Sequence, residues 1–415
     1  MKSTIINTFV FFCFFQSSIL SSSKSTNPFP KQALPTKSGY LPISSTSSPS
    51  IFYTFYEAQN STSSLSQTPL LIWLQGGPGC SSMIANFYEL GPWRVTKSLT
   101  LQPNPDSWNR RFGLLFLDNP FGTGFSIAST PEEIPTDQNG VAKHLFAAIT
   151  RNEKLGASKK VNLAGLAIGD GLTDPVTEVA THATNAYYVG LINERQRIQL
   201  ENDQLEVVRL TKTGNWSEAA DARNRVLLKL QSIIGLATLS DYTRKVPYEI
   251  ELVAQFLNLT EAKKALRVNE SFVYELCSDV VGAAIHADVM KSVKHKVEEL
   301  VKRSRVLLYQ GQYDIRDGVA QVEAWVKTMK WEEIDEFLNA KRKIWKVNGD
   351  FAGYVQKWKS LTNVVVLGAG HLVPTGQPLN SQAMIEDWVL ERGLFQSVEL
   401  DNVSTNSTLS HFLGF

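Results

Sequence analysis

Cysteine is scarce in this sequence and neither sign of charge is in excess. Lys plus Arg number 41 against 40 Asp plus Glu, a net charge of +1. No basic stripe stands out, which argues against nucleic acid as the main partner, because phosphate binding draws on surplus cations. After the first fifteen residues no run is long and apolar enough to span a bilayer, and the first run itself falls short of the ~20 residues a spanning helix needs. No Walker phosphate loop occurs, no Gly-x-Gly-x-x-Gly opens a helix, and no metal-ligand spacing or internal repeat is visible. The residues imply neither a cofactor nor a metal.

What is present is core-forming sequence: 415 residues, 43% apolar, enough for one large domain or for a domain carrying an inserted cap. The opening MKSTIINTFVFFCFFQSSILSSSKS pairs Lys2 with an apolar core over 5–15, followed by small serines. This is the pattern of a secretory signal peptide over 1–23, cut near 21–24, leaving a chain that is not membrane-bound over 24–415. Six Asn-X-Ser/Thr sequons, at Asn60, Asn215, Asn258, Asn269, Asn402 and Asn406, fit a secretory route, extracellular or vacuolar. Cys13 leaves with the signal, so Cys80 and Cys277 remain. In an oxidising compartment the pair favours a disulfide, with two buried free thiols as the alternative.

Short apolar runs ended by Gly, Asn or Pro predict buried strands at 69–74, 112–120 and 161–171, and IFYTFYEA (51–58) alternates like a hairpin strand. GVAKHLFAAIT (140–150) has helical spacing. The chain then turns rich in Glu, Arg, Lys, Gln and Leu at helical spacing, a helical cap inserted over about 180–275. Strand runs return at RVLLYQGQYD (305–314) and NVVVLGAGH (363–371), ending in Asp314 and His371. Strands separated by helices imply an α/β fold with a mostly parallel sheet, whose chemistry gathers at the carboxyl ends of the strands. An acid after one strand and a histidine after a later one follow the chain order of an α/β-hydrolase triad. From the residues alone, Asp317 competes with Asp314 for the acid's place.

The blocks IWLQGGPGCSSM (72–83), YELGPWRV (88–95), LLFLDNPFGTGFS (114–126), NLAGLAIGDGLTDP (162–175), LLYQGQYD (307–314) and GAGHLVPTGQP (368–378) resemble, in order, those of the serine carboxypeptidase-like family. The resemblance implies an α/β-hydrolase-like sheet flanked by helices, and Ser-His-Asp release of a C-terminal residue from peptides or proteins. It implies Asp314 as the triad acid, His371 as the base and Gly77 as one oxyanion donor. Gln75, Gly76 and Glu89 would bind the substrate carboxylate, Glu89 only while it carries or shares a proton. Gln75 stands where the family's peptidases more usually have Asn. A Cys80–Cys277 disulfide would tie the oxyanion loop to the segment before the acid's strand.

The family's nucleophile lies in Gly-Glu-Ser-Tyr-Ala-Gly, at a sharp turn between a central strand and a helix. It belongs between the helix ending at Thr150 and the NLAGLAIGDG strand, yet only RNEKLGASKK (151–160) joins them. A strand plus a helix needs at least ~15 residues at average element lengths, so one central strand and its helix are expected to be missing. No Gly-x-Ser-x-Gly occurs anywhere. Ser126, in Gly-Phe-Ser-Ile-Ala, runs into a proline-bearing loop rather than a helix, and Ser81, Ser82 and Ser158 are poorer candidates still. No nucleophile is found. Impaired peptidase, acyltransferase of the same family, non-catalytic binding protein and truncated splice or gene-model form remain the alternatives.

Overall fold

The computed structural model describes residues 28–42, 49–61, 64, 67–150 and 163–396. The leader over 1–23, the 151–160 junction with Ser158, and the sequons at Asn402 and Asn406 lie outside these residues. The strands are β1 (Lys37–Pro42), β2 (Ser50–Tyr56), β3 (Leu70–Leu74), β4 (Trp93–Val95), β5 (Leu101–Pro103), β6 (Gly113–Leu117), β7 (Gly165–Gly169), β8 (Arg305–Gly311), β9 (Lys343–Val347), β10 (Asp350–Trp358) and β11 (Leu361–Val366). β4 and β5 form a separate hairpin.

The larger strands fall into a four-stranded sheet, β1-β2-β6-β3, and a five-stranded sheet, β7-β8-β11-β10-β9. The pairs β3–β6, β7–β8 and β8–β11 are parallel. β11, flanked on both sides, is buried at every residue, as an interior parallel strand requires. β6 is nearly so. β3 and β7 depart from the buried strands that their apolar runs predict. Leu70, Ile72 and Leu74 are 50%, 37% and 39% exposed, and no residue of β7 is fully buried. The reason is position: each is the outer strand of its sheet, with one row of backbone groups unpaired by any described strand. The alternation along β3 also bares one face, the face a flanking helix covers in a doubly wound sheet. Phe146, on α1 (Gln138–Thr150), is 67% exposed as well.

The two sheets nonetheless share one core. A single cluster joins Phe52, Leu114 and Phe116 of the first sheet to Leu307, Tyr309, Val364 and Val366 of the second. Trp108 bridges them, lying edge-on to Trp73 of β3 at 5.6 Å and to Tyr309 of β8 at 6.4 Å. The helix Pro378–Val389 adds a polar clamp: buried Glu386 accepts from Arg110 Nε and Nη2, both at 2.7 Å, and from Arg111 Nε at 3.1 Å.

Between β7 and β8 the chain is helical. α2 (Pro175–Val179) and α3 (His182–Tyr188) lead into α4 (Glu194–Lys212) and α5 (Trp216–Ile234), with shorter helices beyond. α4 starts where Asn193 and Gln196 cap each other, the Asn193 side chain accepting from Gln196 N at 3.0 Å and the Gln196 side chain from Asn193 N at 2.9 Å. α4 and α5 pack through Val207, Leu210, Ala219, Ala222 and Val226. Arg223 of α5 reaches out of this layer to Asp317 at 2.7 Å, both side chains buried. The cap is thereby tied to the loop that follows β8.

Candidate active site

The carboxyl ends of β3, β7, β8 and β11 converge. Asp314, three residues past β8, has a fully buried carboxylate, and its Oδ2 accepts from His371 Nδ1 at 2.7 Å. Asp314 Oδ1 accepts from Arg316 N at 2.7 Å and Asp317 N at 3.3 Å, which fixes the carboxylate in the loop. Asp317 turns away to Arg223 and Arg316. The imidazole therefore belongs to Asp314. His371 is held by its backbone too, its N–H donating to Ser240 O at 2.6 Å. Burial works against a charge on this ring, but Asp314 and Asp317 outweigh it, and the pKa lies above the ordinary histidine value. A carboxylate-oriented imidazole of this kind has the geometry a general base needs, with its second nitrogen turned from the carboxylate.

The Gly-Gly-Pro-Gly turn after β3 supplies the opposite wall. A Cβ on Gly77 would lie 2.8 Å from Cys80 Sγ and 2.9 Å from Cys80 N, so the turn closes only without a side chain there; at Gly76 nothing lies within 4 Å. Cys80 is joined to Cys277 by a disulfide, and Ser81 N donates to Leu276 O at 2.8 Å beside it. Gln75 is oriented by Trp73 Nε1, which donates to its Oε1 at 2.9 Å, and its Nε2 reaches Glu89 Oε1 at 3.3 Å. Burial pushes the Glu89 carboxyl up to about 7, against the opposing pull of His371, the Gln75 hydrogen bond and Arg94. Arg94 Nη2 donates to Glu89 O at 2.6 Å and to Pro374 O at 3.1 Å, joining this wall to the segment behind His371.

Each described serine considered from the sequence is spent on structure. Ser81 Oγ donates to Asp118 Oδ1 at 2.6 Å, Ser82 Oγ to Leu117 O at 2.5 Å, and Ser126 Oγ to Asp118 O at 2.6 Å. All three are buried, and no serine hydroxyl among the described residues hydrogen-bonds His371. The described sequons Asn60, Asn215, Asn258 and Asn269 are exposed. The Asn258 amide is engaged at both ends, Nδ2 donating to Tyr274 O at 2.9 Å and Oδ1 accepting from Tyr274 N at 2.9 Å, and Asn269 Oδ1 accepts from Ser271 N at 3.0 Å and Ser271 Oγ at 2.9 Å.

One residue of the site went unnoticed in the sequence. Asp170, just past β7, is buried, accepts from Gly311 N at 3.1 Å, and stands with Asp314 and His371 in a group whose ligand-type atoms lie within 4.8 Å of one another. The signal was available: like Asp314 and His371, it is an ionisable residue at the end of a strand run.

Comparison with known proteins places this geometry. The serine carboxypeptidase family profile matches residues 27–152 and 144–391, two stretches that meet at the end of α1. Serine carboxypeptidase-like 50 of Arabidopsis thaliana is 50% identical over 92% of this chain and 94% of its own. The venom serine carboxypeptidase of Apis mellifera is 30% identical over 84% and 82%, and the probable serine carboxypeptidase CPVL of Homo sapiens 28% over 88% and 85%. Among solved structures, the prohormone-processing carboxypeptidase Kex1Δp of Saccharomyces cerevisiae superposes with a TM-score of 0.74 at 23% identity, covering 85% of this chain and 91% of that one. The fold is that of an α/β-hydrolase, and the chain belongs to the serine carboxypeptidase family.

Proposed function

We propose that this chain is a secretory-pathway carboxypeptidase scaffold that binds peptide C-termini but lacks the nucleophile element, so that release of the terminal residue is lost or strongly reduced. The observation that carries the reading is the pairing of an assembled Asp314–His371 dyad with two open strand edges, β3 and β7, at its foot. A strand, an elbow and a helix inserted there would cover the bared residues of β3 and bring a serine to His371. The two-part family match, meeting at the end of α1, supports an omitted internal segment. Without a triad member, only about 10³–10⁴-fold acceleration over water remains, from oxyanion donors and binding. Half of that hole would be missing as well, since its second donor is the residue after the serine. Gln75, Gly76 and Glu89 are the proposed carboxylate-binding wall and Gly77 the remaining oxyanion donor. The relatives' names are those of peptidases, which favours peptides over activated esters as ligands.

The test combines sequencing and labelling. A longer transcript reading through Thr150–Arg151 with a Gly-x-Ser-x-Gly segment identifies this chain as a derivative of an active enzyme. The chain itself is expected to resist a fluorophosphonate probe, and to gain labelling when a relative's strand–elbow–helix segment is grafted between 150 and 163. Labelling of the ungrafted chain that disappears in Ser126→Ala would overturn the reading.

A further inference from the structure

Asp170 presents a charge problem that the dyad alone does not resolve. Its backbone has φ 44, and its N–H donates to Tyr309 O at 3.0 Å while its Oδ1 accepts from Gly311 N at 3.1 Å. The end of β7 is thus laced to the end of β8, and the carboxyl is turned in beside Asp314. Its second oxygen, Oδ2, is buried and receives no hydrogen bond. The charged and titratable groups around it are Asp314, Asp317 and His371, with the phenols of Tyr309 and Tyr248. The cations are already committed: Arg223 and Arg316 both bond Asp317, and His371 bonds Asp314. Among the described residues no cation pairs with Asp170.

We propose that Asp170 holds the proton of a carboxyl–carboxylate pair with Asp314 and acts as a positioning residue for the Asp314–His371 dyad. The inference rests on the reading of that dyad as the family's acid and base. Two adjacent buried carboxylates cannot both ionise, so one keeps a proton. Asp314 already accepts from His371 Nδ1 and from two backbone N–H groups, interactions that favour its anion. Asp170 has one donor and an orphan oxygen, so the proton rests on Oδ2 and points at Asp314. Burial first, then the Asp314 charge, holds Asp170 well above the carboxylate range in agreement with this. The extra O–H bond occupies a lone pair of Asp314, restrains its rotation so that Oδ2 stays on the imidazole, and tempers its basicity toward His371. An asparagine would do the same work, its Oδ1 accepting from Gly311 N and its amide N–H replacing the carboxyl O–H.

The experiment is an NMR titration of the His371 imidazole in the full chain, assigned by loss of its signal in His371→Asn. Asp314→Asn is expected to lower the His371 pKa by about one or more; if it does not, the dyad reading itself fails. With the dyad standing, Asp170→Asn is expected to leave the His371 titration in place, and Asp170→Ala, which removes the donor, to move it upward. A fall of about one or more in Asp170→Asn would show that a charge had been removed and would overturn the proposal. No movement in Asp170→Ala would overturn the positioning role. An independent readout needs no substitution: in ¹³C-aspartate-labelled chain, a carboxyl resonance should keep its protonated position at pH 7, and its absence would equally sink the idea.

Discussion

Glu89 illustrates how burial makes one side chain's chemistry depend on pH. It lies at 2% exposure, tied by Gln75 and lifted to about 7 by its surroundings. If Glu89 and Gln75 meet a peptide's terminal carboxylate, only the protonated Glu89 can donate to it, and the ionised form repels it. Binding of a blocked dipeptide should therefore weaken as pH rises from 5 through 7 and 8. Glu89→Gln, which is always a neutral donor, should bind with little pH dependence; calorimetric titration at several pH values checks this. An unchanged pH profile in the variant would remove Glu89 from the ligand's reach. At this scale the sequence was legible where a motif carried the residue: Gln75 hydrogen-bonds Glu89, and His371 pairs with Asp314. It was not legible where two candidates sat three residues apart. Only the hydrogen bonds separate Asp314, which faces His371, from Asp317, which faces Arg223. Asp170 was passed over because no triad position required it.

At the scale of the element, an apolar run reports what a strand is built to touch, not what touches it. LLIWL reads as a buried strand because in a complete sheet it would have neighbours on both edges and both faces. Among the described strands β3 has a partner only in β6, and its alternate residues stand exposed. The same holds for β7, which among the described strands pairs only with β8. The run at 363–371 shows the contrast, for β11 has β8 on one side and β10 on the other and is buried throughout. This leads to an expectation opposite to the usual one for a central strand. Ile72→Lys should change the melting temperature by no more than an ordinary surface substitution, within about 0.5 kcal/mol. It should also reduce self-association, since bare edges and apolar faces template pairing between chains. Thermal melts and sedimentation velocity read the two effects. A loss on the order of 3 kcal/mol would mean that β3 is covered after all. In the grafted chain, where the slot is filled, the same substitution should be severe.

At the scale of the whole molecule, several carboxyl groups in the interior are lifted by burial, and this shapes how stability depends on pH. Glu89 is lifted to about 7; Asp118, buried under hydrogen bonds from Ser81, Phe125 and Ser82, to about 6. Asp170 and Glu178 lie well above their ordinary values as well, chiefly through burial. In each, the folded chain keeps a proton that the unfolded chain has released once pH passes about 4–4.5. Stability therefore falls as pH rises through the gap between the unfolded and folded values. His371 acts in the same direction: its raised pKa contributes stability below the unfolded value near 6.5, lost as pH rises through the folded value. Asp317 and His182 oppose them: burial lowers the His182 imidazole to about 4, so that stability is lost as pH falls from about 6.5 toward that value. Although burial pushes Asp317 upward, Arg223, Arg316 and the histidines hold it below the usual carboxylate range. Its contribution is present above the unfolded value near 3.9 and is lost as pH falls through the folded one. The balance puts a decline between about pH 6.5 and 7.5, above the range in which His182 acts and where the raised groups act alone. A pKa moved by one is worth about 1.4 kcal/mol, so the decline should be on the order of 1 kcal/mol or more. Urea midpoints measured from pH 4 to 8 test it directly. Glu89→Gln should flatten the upper part of the curve, because glutamine has no proton to lose, and a midpoint that stays level or climbs between pH 6.5 and 7.5 would contradict the assignment of these buried carboxyls as raised.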